Sequence, residues 1–507
     1  MHKNILIIFF LFIVFFLFSQ EEYEKLFNDL TTDETITSID STDDKINNKK
    51  LLANMNFNIS LIGEHTFEFH APIIKDNFNF DGYIKSPKIK NDFGIEVNFK
   101  NLVLISHWQF DIILNEWGDI NKFLELLPLE NYISWSPWKF RLAIGFQNFN
   151  WGVGDKINPT DNVNVKDYRH PYNPRKIPVF SISAKFFPAK FISMEALYIP
   201  FYLQLSSDDA YDEIENTYND VKISVKSSIN PEFFGIGGKI NFYFKHADFS
   251  FSYLTQIDPY FSLDLDLERK IESNQSYYII ENAELLNRRI HNIGTDFKTT
   301  VGIFGLWIEL CYSITEDILM ELYNIRNHQL SYVTGFDFNY GPNSDFYFNL
   351  QYFGYYNPLF DANFYKDYED GEFELNKRKS YYDEFYYRKF TNNLALRREG
   401  FLHGISLKME WPVLASLLTP SIEAIYSIPL IYDTDREARY GNLYINPELD
   451  IMPLDSFHIL IGADLFFSWH KLENKLDVNT ENITGSNYKN CNIYLEVRYK
   501  WGIDFKK

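Results

Sequence analysis

The sequence is poor in cysteine, poor in positive charge and, past residue 18, free of long apolar runs. Two cysteines in 507 residues, Cys311 and Cys491, cannot build a disulfide framework, and no Cys and His cluster with metal-ligand spacing occurs. The 48 Lys and Arg against 69 Asp and Glu leave a formal charge of −21, which argues against nucleic acid and anionic surfaces as partners. A nucleophile elbow, a phosphate-binding loop and a zinc motif are all missing, so neither an enzyme nor a resident metal or cofactor is expected. No stretch after Phe18 approaches the roughly 20 apolar residues that a transmembrane helix needs. Yet 46% of the residues are hydrophobic and 18% aromatic, with 48 Phe and 35 Tyr, while the mean hydropathy is −0.27. The apolar side chains must therefore alternate with polar ones at close range.

The first residues, Met1-His2-Lys3-Asn4, precede an unbroken apolar run over 5–18 and a polar exit, Ser19-Gln20-Glu21-Glu22. A basic start, a short apolar core and a polar exit describe a cleaved secretory signal peptide over 1–19. Residues 20–52 are acidic and rich in Thr, Ser, Asp and Glu, a composition that reads as a disordered periplasmic leader. The remainder, 53–507, changes character.

From there the residues alternate with period 2, the mark of strands with two unlike faces. Tyr332, Thr334, Phe336, Phe338 and Tyr340 oppose Ser331, Gly335, Asp337 and Asn339. Phe457, Ile459, Ile461, Leu465 and Phe467 oppose His458, Gly462 and Asp464. A soluble sandwich also alternates, but these segments run about 9 to 14 residues, nearer the membrane-spanning strand than the globular mode of about 5–6. Tight hairpins at 187–190, 245–248, 302–305, 341–344 and 452–456 alternate with long polar stretches at 202–231, 257–291, 357–400 and 469–489. Short turns at one end and long loops at the other are the pattern of transmembrane barrels. The expected fold is all-β: an antiparallel transmembrane barrel of 16–18 strands with short periplasmic turns and long extracellular loops. Segments 54–62 and 64–71 count as the first two strands, with one continuous strand or part of the leader as the alternatives, and the spacing over 117–130 predicts a short helical turn. The final segment, 490–505, places Ile493, Leu495, Val497, Tyr499, Trp501, Ile503 and Phe505 on one face and Tyr494, Glu496, Arg498 and Lys500 on the other. Outer-membrane proteins end on such strands, which barrel-insertion machinery recognises; that machinery and outer-membrane lipid are the expected partners, with localisation in the outer membrane.

Residues 138–202 carry a denser signal. A strand with Arg141 and Gln147 leads to Trp151-Gly152, Asp155 and Asn158-Pro159-Thr160-Asp161, then to Pro178, a strand, and Glu195-Ala196-Leu197-Tyr198. This order resembles a family of large porin-like outer-membrane barrels, and the resemblance implies a porin-like barrel without naming a solute. The residues have their own physical reading. Trp151 suits an interfacial girdle, Gly152 and Gly154 permit tight turning, and Asn158-Pro159 starts a turn in which Asp161 can accept backbone N–H bonds. The segment 149–177 either folds inward as a constriction or lies on the surface as an ordinary loop. Trp151, Gly152, Asp155, Asn158, Pro159 and Asp161 are its candidate residues.

Alternation also nominates lumen-facing residues: Lys139, Arg141, Gln147, Lys185, Glu195, Lys239, Lys245, Glu309, Asp337, Glu410, Glu423, Asp450, Asp464, Glu496, Arg498 and Lys500. Both signs occur, which predicts a mixed polar lumen. His107, Gln109 and Asp111 share one face, but three polar residues in a wet lumen need no catalytic role. The acidic clusters at 208–215 and 367–372 lack the spacing of a calcium loop. The function expected is a channel passing small solutes; the alternative is a surface protein binding a partner through its long loops.

Overall fold

The computed structural model describes residues 57–72, 87–114, 124–167, 175–202, 222–225, 234–258, 262–272, 275–286, 288–318, 325, 328–341, 346–357, 401–430, 440–472, 475–477 and 491–506. The segments expected to be a signal peptide (1–19) and an acidic leader (20–52), and the clusters at 208–215 and 367–372, lie outside the described residues.

Among the described residues, the short Lys475–Asp477 adds to the end of Phe457–Leu472, and eighteen strands close the ring of the sheet that positions everything else. They are β1 Phe57–Pro72, β2 Lys88–Phe99, β3 Leu102–Ile113, β4 Leu124–Trp135, β5 Phe140–Gln147, β6 Val179–Ala189, β7 Ile192–Ile199, β8 Gly235–Tyr243 and β9 Ala247–Ile257. They continue with β10 Arg289–Val301, β11 Phe304–Thr315, β12 Gln329–Tyr340, β13 Phe346–Tyr356, β14 Phe401–Glu410, β15 Leu418–Leu430, β16 Tyr440–Leu454, β17 Phe457–Leu472 and β18 Asn492–Lys506. Each pairs antiparallel with its neighbours in chain order, and β18 pairs back onto β1, with Tyr499 opposite His65. The sheet is therefore a closed barrel with no free edge, the one β architecture that satisfies its backbone inside hydrocarbon.

The connections alternate strictly. At one end they run from two residues (100–101, 190–191) to seven (411–417); at the other they run from nine (431–439) to 44 (357–400). The strand ends of β1 and β18 lie at the short-turn end, with Asn58 opposite Lys506.

The alternation decides which side chains meet lipid. On β5, Leu142 and Ile144 point outward and are exposed, while Ala143 and Gln147 are buried inside. On β11, Leu306, Ile308 and Leu310 are exposed between the buried Trp307, Glu309 and Cys311. An apolar outer belt of this extent has no aqueous partner and fits a bilayer. Around the short turns it ends in aromatic side chains, among them Trp138 (86% exposed), Phe187, Phe244, Tyr340 and Trp411. Trp and Phe at that height form a membrane-interface girdle.

Three expectations are corrected. Segments 54–62 and 64–71 form one strand, Phe57–Pro72; Gly63-Glu64 reads locally as a turn, yet both neighbouring strands pair through it. The helical spacing at 117–130 does not yield a helix over its described part, because Leu124–Trp135 is a strand. Its pairing with β3 is kept by a bulge between Ser106 and Trp108, opposite Pro128, and the ladder outweighs local propensity. The stretch 257–291 is not featureless: Ser262–Glu272 and Gln275–Leu286 pair as a hairpin, and Lys222–Val225 adds to it in parallel.

One backbone position is demanding. Gly145 on β5 has φ of +132°, and a Cβ there would overlap the Asn131 carbonyl oxygen. Neither conflict can be relieved inside a closed ladder. Gly145→Ala should lower stability by about 1–3 kcal/mol, read as a shift in the urea midpoint of heat-modifiable gel mobility; an unchanged midpoint would contradict this reading of β5.

Candidate functional site: a loop docked inside the barrel

After Gln147 the chain leaves the ladder and turns inward. Phe149, Trp151 and Val163 bury themselves against Val179, Leu197, Ile199, Tyr202, Leu254 and Ile257, with Trp151 only 1% exposed. This apolar cluster is what draws the segment onto the inner wall instead of into solvent. A chain folded this way loses its ladder, so each buried N–H and C=O needs another partner.

Side chains of the loop supply part of that need. Asn164 Oδ1 accepts the Phe149 N–H at 2.7 Å, while its Nδ2 donates to the carbonyls of Gln147 (3.0 Å) and Ile177 (2.9 Å). Asp161 Oδ1 accepts the Trp151 N–H at 3.3 Å, and Lys176 pairs with Asp161 at 2.6 Å and donates to the Phe149 carbonyl at 2.7 Å. Asn158 donates to the Gly154 carbonyl at 3.2 Å, and a Cβ on Gly152 would overlap the Asn158 side chain. Pro159 stands in the turn closed by the Asp161 N–H on the Asn158 carbonyl, 3.3 Å.

Barrel strands supply the rest, and one residue dominates. Glu309 on β11 is fully buried (0% exposed). Its Oε1 accepts the N–H groups of Val153 (2.6 Å) and Gly154, and its Oε2 accepts the Thr160 N–H (3.3 Å) and hydroxyl (2.7 Å). The loop thus wraps its amides round a carboxylate, as backbone nests wrap anions. Further along, the Ile157 N–H donates to Gln351 Oε1 on β13 (3.2 Å), and Lys156 pairs with Glu423 on β15 (2.8 Å). Asp155 accepts a long bond from Asn349 (3.4 Å). On β8, Lys239 donates to the Trp151 carbonyl and pairs with Asp296 of β10 at 2.9 Å. Gln256 donates to the Asn162 carbonyl at 2.7 Å and accepts from the Tyr202 hydroxyl at 3.0 Å. Burial pushes the Tyr202 phenol well above its ordinary range, so it remains a donor at any physiological pH. On the return, Arg175 donates to Gln109 on β3.

The described loop residues therefore meet the inner wall at β5 to β11, β13 and β15, and at β3 on the return. The arc from β16 to β2 is lined by charge. Arg498 pairs with Glu64 (3.1 Å) and Glu496 (3.2 Å), Lys500 with Glu64 (3.5 Å), and Lys88 with Glu68 (3.3 Å). Tyr494 donates to Glu448 (2.9 Å), and His458 lies 3.1 Å from Asp450. Tyr444 and Asn446 both donate to Asp464.

The nominated residues fall into groups. Trp151, Gly152, Asp155, Asn158, Pro159 and Asp161 lie in the docked segment, with Gln147 at its root, where it holds Ser181 and Ser183, and Glu309 at its centre. Lys185 and Glu195 pair at 3.9 Å on adjacent strands. Lys139 sits in a short turn and donates to the Pro188 carbonyl, and Arg141 contacts the Tyr132 ring. Asp337 stands opposite Asn349 in the ladder. Arg498 belongs to the charged arc, and Lys245, read as lumen-facing, is instead exposed in the turn before β9. Gln109 takes its place between Arg175 and Asp111, to which it donates at 2.6 Å. Thr160, Asn164, Lys176 and Gln351 carry as much of the docking but were not singled out; Gln351 sits on the inward register of β13, so parity alone could have found it.

Replacing Glu309 with alanine leaves three loop amides unpaired, at about 1–3 kcal/mol for each unsatisfied buried group. In Glu309→Ala the amides of Val153, Gly154 and Thr160 should exchange with deuterium at least tenfold faster, while the barrel keeps its heat-modifiable mobility. Unchanged exchange would remove Glu309 from its role as anchor.

No protein-family model and no curated protein matches the chain. Solved structures of related shape include the outer membrane protein opdK from Pseudomonas aeruginosa, at 9% identity over 88% of this chain and 99% of that one, with a TM-score of 0.46. Pseudomonas aeruginosa OccK3 (OpdO) matches at 7% identity over 88% and 96%, with a TM-score of 0.47. Acinetobacter baumannii OccAB4 matches at 8% over 88% and 98%, also with a TM-score of 0.47.

Proposed function

We propose that this chain is a porin-like channel of the outer membrane, passing small solutes by diffusion through a polar lumen that the 149–177 segment narrows. The observation that supports it most is the docking of that segment on Glu309, well inside a barrel of a size that otherwise leaves an aqueous passage. Solutes would pass between the loop and the charged arc of β16 to β2, where Arg498, Lys500, Lys88 and the facing carboxylates offer hydrogen bonds to a partly dehydrated solute. In this reading the short turns face the periplasm, the long connections face outside, and β18 is the segment that the barrel-insertion machinery receives. The barrel carries no catalytic step.

A second reading is favoured by one observation. The hairpin Ser262–Glu272/Gln275–Leu286, joined by Lys222–Val225, forms a three-stranded sheet within the long connections. A folded surface of that kind suits an external partner, with the barrel as its mount.

Planar-bilayer recordings separate the two. Refolded protein should give discrete conductance steps, and replacing residues 152–160 with a short Gly-Ser linker should raise the step severalfold. Absence of steps in both proteins would overturn the channel reading.

A further inference from the structure

Taken residue by residue the passage holds both signs, but ion pairing leaves a remainder of one sign. On the arc from β16 to β2 the cations are held by Glu64, Glu68 and Glu496. Lys88 and Lys90 pair with Glu68, Arg498 with Glu64 and Glu496, and Lys500 with Glu64. Beside the docked segment, Lys156 pairs with Glu423 and Lys408 with Glu410, each at 2.8 Å. Arg175 reaches the wall next to the arc, on β3, where it donates to Gln109. Arg141 and Lys298, inward cations outside these pairs, stand near the short-turn ends of β5 and β10, away from the arc.

Three carboxylates of the arc have no such match. Among the described residues, no Lys or Arg pairs with Asp464 on β17 or with Glu448 and Asp450 on β16. Asp464 accepts from the Tyr444 hydroxyl (2.8 Å) and from Asn446 (3.0 Å), and Glu448 accepts from the Tyr494 hydroxyl (2.9 Å). Asp450 lies 3.1 Å from the His458 imidazole. All three are half-buried, so the lumen still reaches them. These bonds fall on Asp464 Oδ1 and Glu448 Oε2, which leaves Asp464 Oδ2 and Glu448 Oε1 without a donor among the described residues.

The strands set the three in a row. Asn446 holds Asp464 at its own level on β16, Glu448 follows two residues on, and Asp450 two beyond that. Same-face residues of a strand step by about 7 Å, so the row descends from the long-connection end toward the short turns. The docked segment adds to the same sign. Asp155 is exposed there and meets only Tyr347 and Asn349, at 3.5 and 3.4 Å. Asp337 lies over Gly305, where a Cβ would meet its carboxylate.

An ion pair cancels its own field beyond a short distance, whereas unmatched carboxylates along a narrow aqueous path focus a negative potential. Such a path concentrates cations and excludes anions. An ammonium or guanidinium group brings N–H donors that charged acceptors bind strongly, and the row offers open acceptors in succession. We propose that the passage selects small cationic solutes over anions of the same size, with Asp464, Glu448 and Asp450 as the selecting row. The inference rests on the channel reading and assigns it a class of solute.

Its test is the reversal potential across planar bilayers under a tenfold gradient of potassium chloride, repeated with ethanolammonium chloride. Wild type should favour the cation over chloride by about threefold or more with both salts. The triple variant Asp464→Asn, Glu448→Gln, Asp450→Asn keeps side-chain size and hydrogen-bond acceptors. Its preference should fall by at least half, and that of Asp155→Asn by less. If the triple variant loses its heat-modifiable mobility, the three single variants are read instead, each with a lowered preference. A wild type that favours chloride or neither ion, or refolded variants with wild-type preference, overturns the inference while the conductance steps keep the channel reading intact. Absence of steps in every protein overturns both.

Discussion

Hydrocarbon offers no hydrogen-bond partner, and that constraint organises this molecule. Every backbone group at membrane depth must be paired within the sheet, so the sheet must close, and it closes where Tyr499 of β18 meets His65 of β1. Closure then forces two unlike solvents on the two sides of each strand. Period-2 alternation is the chemical record of that requirement, and the strict exchange of short and long connections follows from chain direction alone.

Inside the barrel the same rule acts on a segment that has left the ladder. Among the described residues between Asn148 and Ile177, the chain has only a two-residue strand pair at 166–167 and 175–176. Its buried amides are satisfied by Glu309, Gln351, Asn164 and Asp161, and its carbonyls by Lys239, Lys176 and Gln256. Burial of Trp151 and Val163 provides the attraction; the side-chain partners provide the position. A loop held at so many points keeps one shape, which is what a selective passage requires.

The fold was legible to the extent that it is written in alternation. Strand β18, with Ile493 to Phe505 outward and Tyr494 to Lys500 inward, needed no tertiary information, because each residue faces one of two solvents. What failed was whatever depends on partners distant in sequence. Gly63 looks like a turn until β2 and β18 are placed on either side of it. Leu124 to Leu127 has helical spacing until β3 imposes its register. Ser262–Glu272 carries the alternation, with Leu263, Leu265 and Leu267 between Asp264, Asp266 and Glu268, but its charge makes it read as a polar loop until Gln275–Leu286 pairs with it. At the loop, Trp151, Asn158 and Asp161 stood out by residue type and turn chemistry. Glu309 was visible only as one inward carboxylate among many, since its distinction is the 149 residues that separate it from Thr160.

The central claim is that the docked segment borders the conducting path. Asp155 is exposed in that segment, whereas Cys311 and Cys491 are buried, so Asp155→Cys offers a single reachable thiol. Adding a bulky, charged, membrane-impermeant thiol reagent during single-channel recording should lower the conductance of this variant in one irreversible step and leave wild type unchanged. Complete labelling of Asp155→Cys, verified by mass, with no change in conductance would contradict the account.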